Sequence, residues 1–155
     1  MNQLSFLNTS ISQEAKRKSE KLMSRYKILD AIIESKKMDL EPRLTQNPEP
    51  GESQRGNQFY SSVENMAMTE FEIEEYVRTK RKLHLVYESL KPIQQHIWED
   101  RYILGKRDVD VYNDLQVTDK TYYRVKREMV AIVAEAFGFI NNVGENDRNL
   151  TVKAT

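Results

Sequence analysis

Apolar residues recur at three- and four-residue steps along most of the chain and nowhere alternate long enough to mark a strand. The sequence therefore reads as all-α. The first such segment runs from about Ile11 to Met38. Ser10 and Gln13 have capping-box spacing at its start, a hydroxyl accepting from the amide three residues on while the Gln side chain reaches back. Its apolar positions, Leu22, Ile28, Leu29, Ile32 and Ile33, gather in the second half, whereas Gln13 to Lys21 is polar nearly all round. So narrow an apolar face gains little from packing, which leaves this half frayed or held by a partner. Its cations Lys16, Arg17, Lys18 and Lys21 read as a solvated face or as a basic arm touching phosphates.

From Glu41 to Ser61 the periodicity lapses. Pro42, Pro48, Pro50, Gly51 and Gly56 fall among Asn, Gln and Ser, with almost no apolar residue before Phe59. Proline removes backbone donors and glycine raises the entropic cost of ordering, so the segment reads as a flexible linker. Helical signals then resume. Ser61 with Glu64 and Thr69 with Glu72 offer two alternative capping boxes. Met66, Ile73, Val77, Leu83, Val86 and Leu90 form roughly one stripe of a long helix that Ser89 and Pro92 punctuate. Proline suits the first turn of a new helix, and the next helix is expected from Pro92 to Leu104. It would bury Ile93, Ile97, Trp98 and Tyr102 before Gly105 stops it.

Beyond Gly105 the pattern shortens. A brief helix begins near Asp108, with Asp108 and Asp110 placed to complement its dipole and Val111, Tyr112 and Leu115 on one side. Gln116 and Val117 make a tight connection, with Val117 plugging the angle between two helices. Thr118 then supplies an N-cap and Asp119 a dipole complement for a second helix. Two short helices joined by three or four residues define a helix-turn-helix. In the second helix, Tyr122, Val125, Met129, Ile132, Val133, Ala136 and Phe137 are the expected core. Lys120, Tyr123, Arg124 and Arg127 take the opposite side, with Thr121 and Lys126 at its edges.

Charge refines this picture. Lysine plus arginine equals aspartate plus glutamate at 24 each, so overall basicity is absent and a local patch has to carry any attraction to nucleic acid. Asp119 to Arg127 holds four cations against one anion. Arginine suits bidentate contact with guanine edges or phosphate, lysine acts as a point charge, and a tyrosine ring can meet a thymine methyl. The candidate DNA-binding residues are Thr118, Lys120, Thr121, Tyr123, Arg124, Lys126 and Arg127.

The run from Asp110 to Glu128, above all Thr121-Tyr122-Tyr123-Arg124 and then Ala134-Glu135-Ala136-Phe137-Gly138, resembles the C-terminal helix-turn-helix of the ArpU family of phage transcriptional regulators, relatives of the RinA-type late-gene activators. Ile97 to Tyr102 resembles the helix leading into the DNA-binding region of that family and of the fourth region of bacterial sigma factors. The resemblance spans about Leu83 to Gly138. It implies a sequence-specific regulator that binds a double-stranded promoter and acts on host RNA polymerase in the bacterial cytoplasm. Gln116 departs from the pattern, because the family carries glycine in the turn, where positive φ is cheap.

The expected organisation is an N-terminal helical segment (1–40), a linker (41–61), a helical DNA-binding domain (62–140) with its helix-turn-helix at 108–137, and a disordered tail (141–155). A homodimer is expected, since a lone motif of this size gains affinity on paired half-sites. Neither an enzyme nor a cofactor is expected. There is no cysteine, no glycine-rich phosphate loop, and His84 and His96 lack acidic ligands at metal-site spacing. No apolar run approaches the roughly 20 residues of a membrane span, and Met1 to Ser10 lacks the build of a secretory signal. Two other readings fit a helical chain with this motif, a phage terminase small subunit or other packaging-recognition module, and a protein-interaction module using the long helix from Ser62 to Leu90.

Overall fold

A computed structural model describes residues 11–41 and 58–140, and every element among them is helical. In order these are α1 (Gln13–Arg25), a 3₁₀ turn (Tyr26–Ile28), α2 (Leu29–Leu40), α3 (Gln58–Ser89), α4 (Pro92–Ile97) running into a π-helical turn (Trp98–Ile103), α5 (Asp108–Asp114) and α6 (Asp119–Ala136). The chain divides into two units, which among the described residues comprise 11–24 with 86–140 and 25–41 with 58–85. The unit boundaries thus fall inside helices.

The first expected helix is two helices. Its N-cap is Ser12, whose Oγ accepts from the Ala15 amide at 3.1 Å; Ser10 lies outside the described residues. The polar half, α1, is packed rather than frayed. Its inner face is small, with Ala15 and Ser19 buried and Met23 following one turn later. Small side chains let the backbone approach its neighbours closely, and Ser19 satisfies its buried hydroxyl on Ala15 O at 2.8 Å. The 3₁₀ turn separates this face from that of α2, which buries Leu29 and Ile33 in the other unit. Ile28, read as a core position, is exposed.

In the unit of residues 25–41 and 58–85, α2 lies along α3. Lys36 pairs with Glu72 and Lys80 with Asp30, while Tyr26 Oη meets His84 Nδ1 at 2.9 Å. The long helix starts at Gln58, so the last four positions of the expected linker are helical; its first, Glu41, is the C-cap of α2, and residues 42–57 lie outside the described residues. Ser61 and Thr69 both fall inside α3, so neither position starts the helix. Thr69 instead donates back to Asn65 O at 2.9 Å, a common use of a mid-helix hydroxyl. The anticipated stripe holds only at its C-terminal end, where Leu83, Val86 and Leu90 are buried; Met66 and Val77 face outward.

The other unit is built around Trp98, fully buried, whose Nε1 donates to Met23 O at 3.1 Å and whose ring meets Tyr87 edge-on at 5.6 Å. Pro92 starts α4, and Gln94 Oε1 accepts from the Lys91 amide at 3.0 Å. The helix expected to continue to Leu104 widens into a π turn, with Leu104 N–H bonded to Glu99 O at 2.8 Å. It still buries Ile97, Trp98 and Tyr102 as the pattern requires. Tyr102 donates to Glu20 at 2.9 Å, tying the π turn to α1. Gly105, at φ +71°, ends it. The tail, residues 141–155, lies outside the described residues.

Candidate nucleic-acid interface

Helix α5 ends through two backbone bonds, Val117 N–H to Tyr112 O at 3.1 Å and Gln116 N–H to Asn113 O at 3.0 Å. This is the Schellman pattern, which places the residue after the C-cap in the left-handed region. That residue is Gln116, at φ 54° the one non-glycine with positive φ among the described residues. The side chain meets the strain there that glycine avoids, about 1 kcal/mol. Four residues, Leu115 to Thr118, separate α5 from α6. Thr118 Oγ1 accepts from the Thr121 amide at 3.2 Å, and Asp119 Oδ1 from the Lys120 amide at 2.7 Å. The cap is thus the one the sequence pattern places there.

The faces of α6 differ partly from expectation. Tyr122, Val125, Met129 and Val133 are buried, and Val130 and Ala134 join them; Ile132 and Ala136 are exposed and Phe137 only half-buried. The buried stripe is therefore turned by part of a turn toward residues 126, 130 and 134. On the far side Lys120, Tyr123, Arg124 and Arg127 are exposed together. Thr118 is exposed and Thr121 partly so. Lys120 and Arg127 have no ion-pair partner among the described residues, while Arg124 reaches Glu128 one turn along at 3.3 Å.

Lys126 is misplaced in the sequence reading. It lies on the inner side, its side chain 11% exposed against 60% for Arg124. Its Nζ sits 2.9 Å from Asp108 Oδ1, and 5.7 and 5.9 Å from the ring centroids of Tyr102 and Tyr122. The spacing carries the reason. Lys126 is four residues from Tyr122 and three from Met129, so it lies within the core stripe, and a lysine stem can be buried while its amine finds an anion.

That anion, expected from the sequence as a dipole complement for α5, is a convergence point. Asp108 Oδ1 accepts from Lys126 Nζ, from Tyr122 Oη at 2.7 Å and from Arg101 Nε at 2.9 Å. One carboxylate at the start of α5 thereby fixes α6 and the π turn. Burial works against ionisation of Asp108, but the bonds from Tyr122 and Lys126 and the charges of Lys126 and Arg101 outweigh it, holding the carboxyl below the ordinary aspartate range. Burial and the Asp108 carboxylate push the Tyr122 hydroxyl upward, so it stays a donor.

Other cations of this region are also committed internally. Lys106 bridges Asp100 at 3.2 Å and Asp114 at 3.1 Å, and Arg107 makes two bonds to Asp110 at 2.8 and 3.0 Å. On α1, Lys16, Arg17 and Lys21 are exposed, whereas Lys18 pairs with Glu14 at 2.7 Å and lies 5.8 Å from the Phe139 ring. His96 Nδ1 donates to Pro92 O at 2.9 Å. Among the described residues no cluster of His, Cys, Asp or Glu is arranged to hold a metal, and no helix is long and apolar enough to cross a membrane. The chain matches no protein-family model, no curated protein and no solved structure.

Proposed function

We propose that the chain is a sequence-specific binder of double-stranded DNA and a transcriptional regulator, which reads the major groove with the first half of α6. The observation that carries this reading is the sorting of cations. Lysines and arginines around the motif are tied to aspartates, while Lys120, Tyr123, Arg124 and Arg127 share one solvent-facing side of a capped helix that follows a four-residue turn. Such a helix end suits the major groove, with arginines reaching guanine edges or phosphates. Thr118 and Thr121 stand at the helix start, where backbone amides and hydroxyls meet phosphate. Lys126 is withdrawn from this set.

The resemblance of residues 110–128 to ArpU-type regulators supports the finer reading, a phage late-gene activator that acts with host RNA polymerase in the bacterial cytoplasm and carries out no chemistry of its own. Selection from a random duplex library, followed by anisotropy titration of the selected site, tests the DNA reading. Arg124→Ala with Arg127→Ala should remove site-specific binding while the far-ultraviolet circular dichroism stays unchanged. Undiminished specific binding by that double variant would exclude α6 as the reading helix.

A further inference from the structure

Helix α3 carries a face that the fold leaves uncovered. Val63, Met66, Glu70, Glu74, Val77, Arg81 and Leu85 follow one another at steps of three and four and so share one side of the helix; all seven are exposed. Met66, Val77 and Leu85 are 49, 46 and 61% exposed, and Phe71, at the edge of this face, is 62% exposed. The opposite side, with Glu72, Lys80 and buried Leu83, is the one turned to α2. Large apolar residues at regular helical spacing, standing free over about 33 Å of helix, mark an interaction surface rather than scattered surface exposure.

The charges on α3 say what covers it. Residues 63–77 contain five glutamates and no cation, and residues 78–82 four cations and no anion. We infer that α3 pairs with α3 of a second copy of this chain in antiparallel orientation, about a two-fold axis passing near residues 75 and 76. Met66 then packs against Leu85 of the partner subunit, Glu70 meets Arg81 of the partner subunit, and Glu74 lies beside the partner's Val77 and the partner's Arg78. A parallel pair would set Glu70 against Glu70, Glu74 against Glu74 and Arg81 against Arg81, and like charges across a helical seam are unfavourable. Glu70 and Arg81 have no ion-pair partner among the described residues, so the Glu70–Arg81 pairs across the seam compete with no pair within the chain, whereas Arg78 also holds Glu75 of its own helix at 3.3 Å. The chain's own segment 42–57 has a single large apolar residue, Leu44, and has too little apolar surface to cover this face. The inference does not depend on DNA binding.

The test is made without DNA, on the full chain, so its failure leaves the reading of α6 standing. Sedimentation equilibrium should give a dimer. Glu70→Arg alone and Arg81→Glu alone should each weaken it about tenfold or more, since two cross-chain pairs become repulsive, and the two together should restore it. A parallel dimer would show no such rescue. The chain has no cysteine, so Met66→Cys and Leu85→Cys variants can be mixed and treated with a short bismaleimide. Cross-linking is expected in the mixture and in neither variant alone. A monomer at all concentrations, insensitivity of the dimer to the charge swaps, or self-linking of Met66→Cys would each overturn the proposal. So would a monomer in which the Leu85→Cys thiol is protected from a soluble reagent, because the face would then be covered by the chain itself.

Discussion

Replacing Asp108 by alanine should destabilise the unit that holds the helix-turn-helix by about 2–4 kcal/mol, and the loss should depend on Lys126. Three donors converge on one oxygen of this carboxylate, at 2.9 Å from Arg101, 2.7 Å from Tyr122 and 2.9 Å from Lys126. Removing one member of a buried ion pair costs about 3–5 kcal/mol, because the other charge is left without compensation. Asp108 keeps a side-chain exposure of 26%, so water recovers part of that, which gives the lower range. Lys126→Met keeps the apolar stem between the Tyr102 and Tyr122 rings and removes the charge, and Asp108 retains Arg101 and Tyr122; its cost should stay near or below about 1 kcal/mol. In the double variant the buried Lys126 charge is gone and only Arg101, 36% exposed, is left without its anion, so the two effects should fall short of their sum by about 1–3 kcal/mol. Urea unfolding followed by the fluorescence of Trp98, the single tryptophan and a core residue of this same unit, reads the effect directly. At an ordinary urea dependence the midpoint of Asp108→Ala should fall by about 1–2 M. Additive costs, or a midpoint unchanged by Asp108→Ala, would refute the claim that this carboxylate holds α6 in place.

Gln116→Gly should raise stability by about 0.5–1 kcal/mol, since the positive φ of 54° is strained for glutamine and not for glycine; thermal unfolding checks this, and a lowered midpoint would contradict it. The carboxyl of Asp108 is held below its ordinary value, so the stability it contributes is present above the unfolded value near about pH 3.9 and is lost as pH falls through the folded value. The stability gap between the wild type and Asp108→Asn should therefore be constant near neutrality and shrink in acid; a gap that widens in acid would reverse the assignment. On the selected duplex, the logarithm of affinity should fall with the logarithm of salt with a slope of about −3 per α6 engaged, from Lys120, Arg124 and Arg127. Lys126→Met should leave that slope unchanged, whereas Lys120→Gln should reduce its magnitude by about one.

The helical architecture was legible because it rests on local periodicity, and the motif because its signals are local too. Thr118 caps α6 through an amide three residues away, and Gly105 follows the π turn two positions after its last residue, Ile103. What escaped depends on contacts distant in sequence or on small departures from a regular helix. Ala15 and Ser19 are buried positions that no hydropathy pattern marks, and α1 is held by groups more than 70 positions away, as in the bond from Trp98 to Met23. The π turn at Trp98–Ile103 adds less than a residue's worth of rotation and leaves the apolar spacing intact. Lys126 was the avoidable error, since the steps from Tyr122 and to Met129 already put it in the core stripe. Its partner, 18 residues upstream, was not readable from the same pattern.

The arrangement around Asp108 explains how an electroneutral chain can present a cationic helix face in a defined direction. Apolar packing resists separation of helices but is non-directional, and a smooth stripe of valine, methionine and alanine tolerates small rotations of α6 about its own axis. Each residue of rotation is about 100°, so even a fraction of that would turn Tyr123 and Arg127 aside and bring Glu128, half-buried here, to the outer surface. Directional bonds remove that freedom. Tyr122 and Lys126, one turn apart on the inner side, both terminate on Asp108, which Arg101 holds from the π turn. The same pairing neutralises Lys126, and the pairs at Lys106 and Arg107 neutralise those cations as well. Asp108, one of the anions that offset the chain's cations, is thus also the group that orients the exposed cations of α6, and a zero total is compatible with a locally cationic helix face.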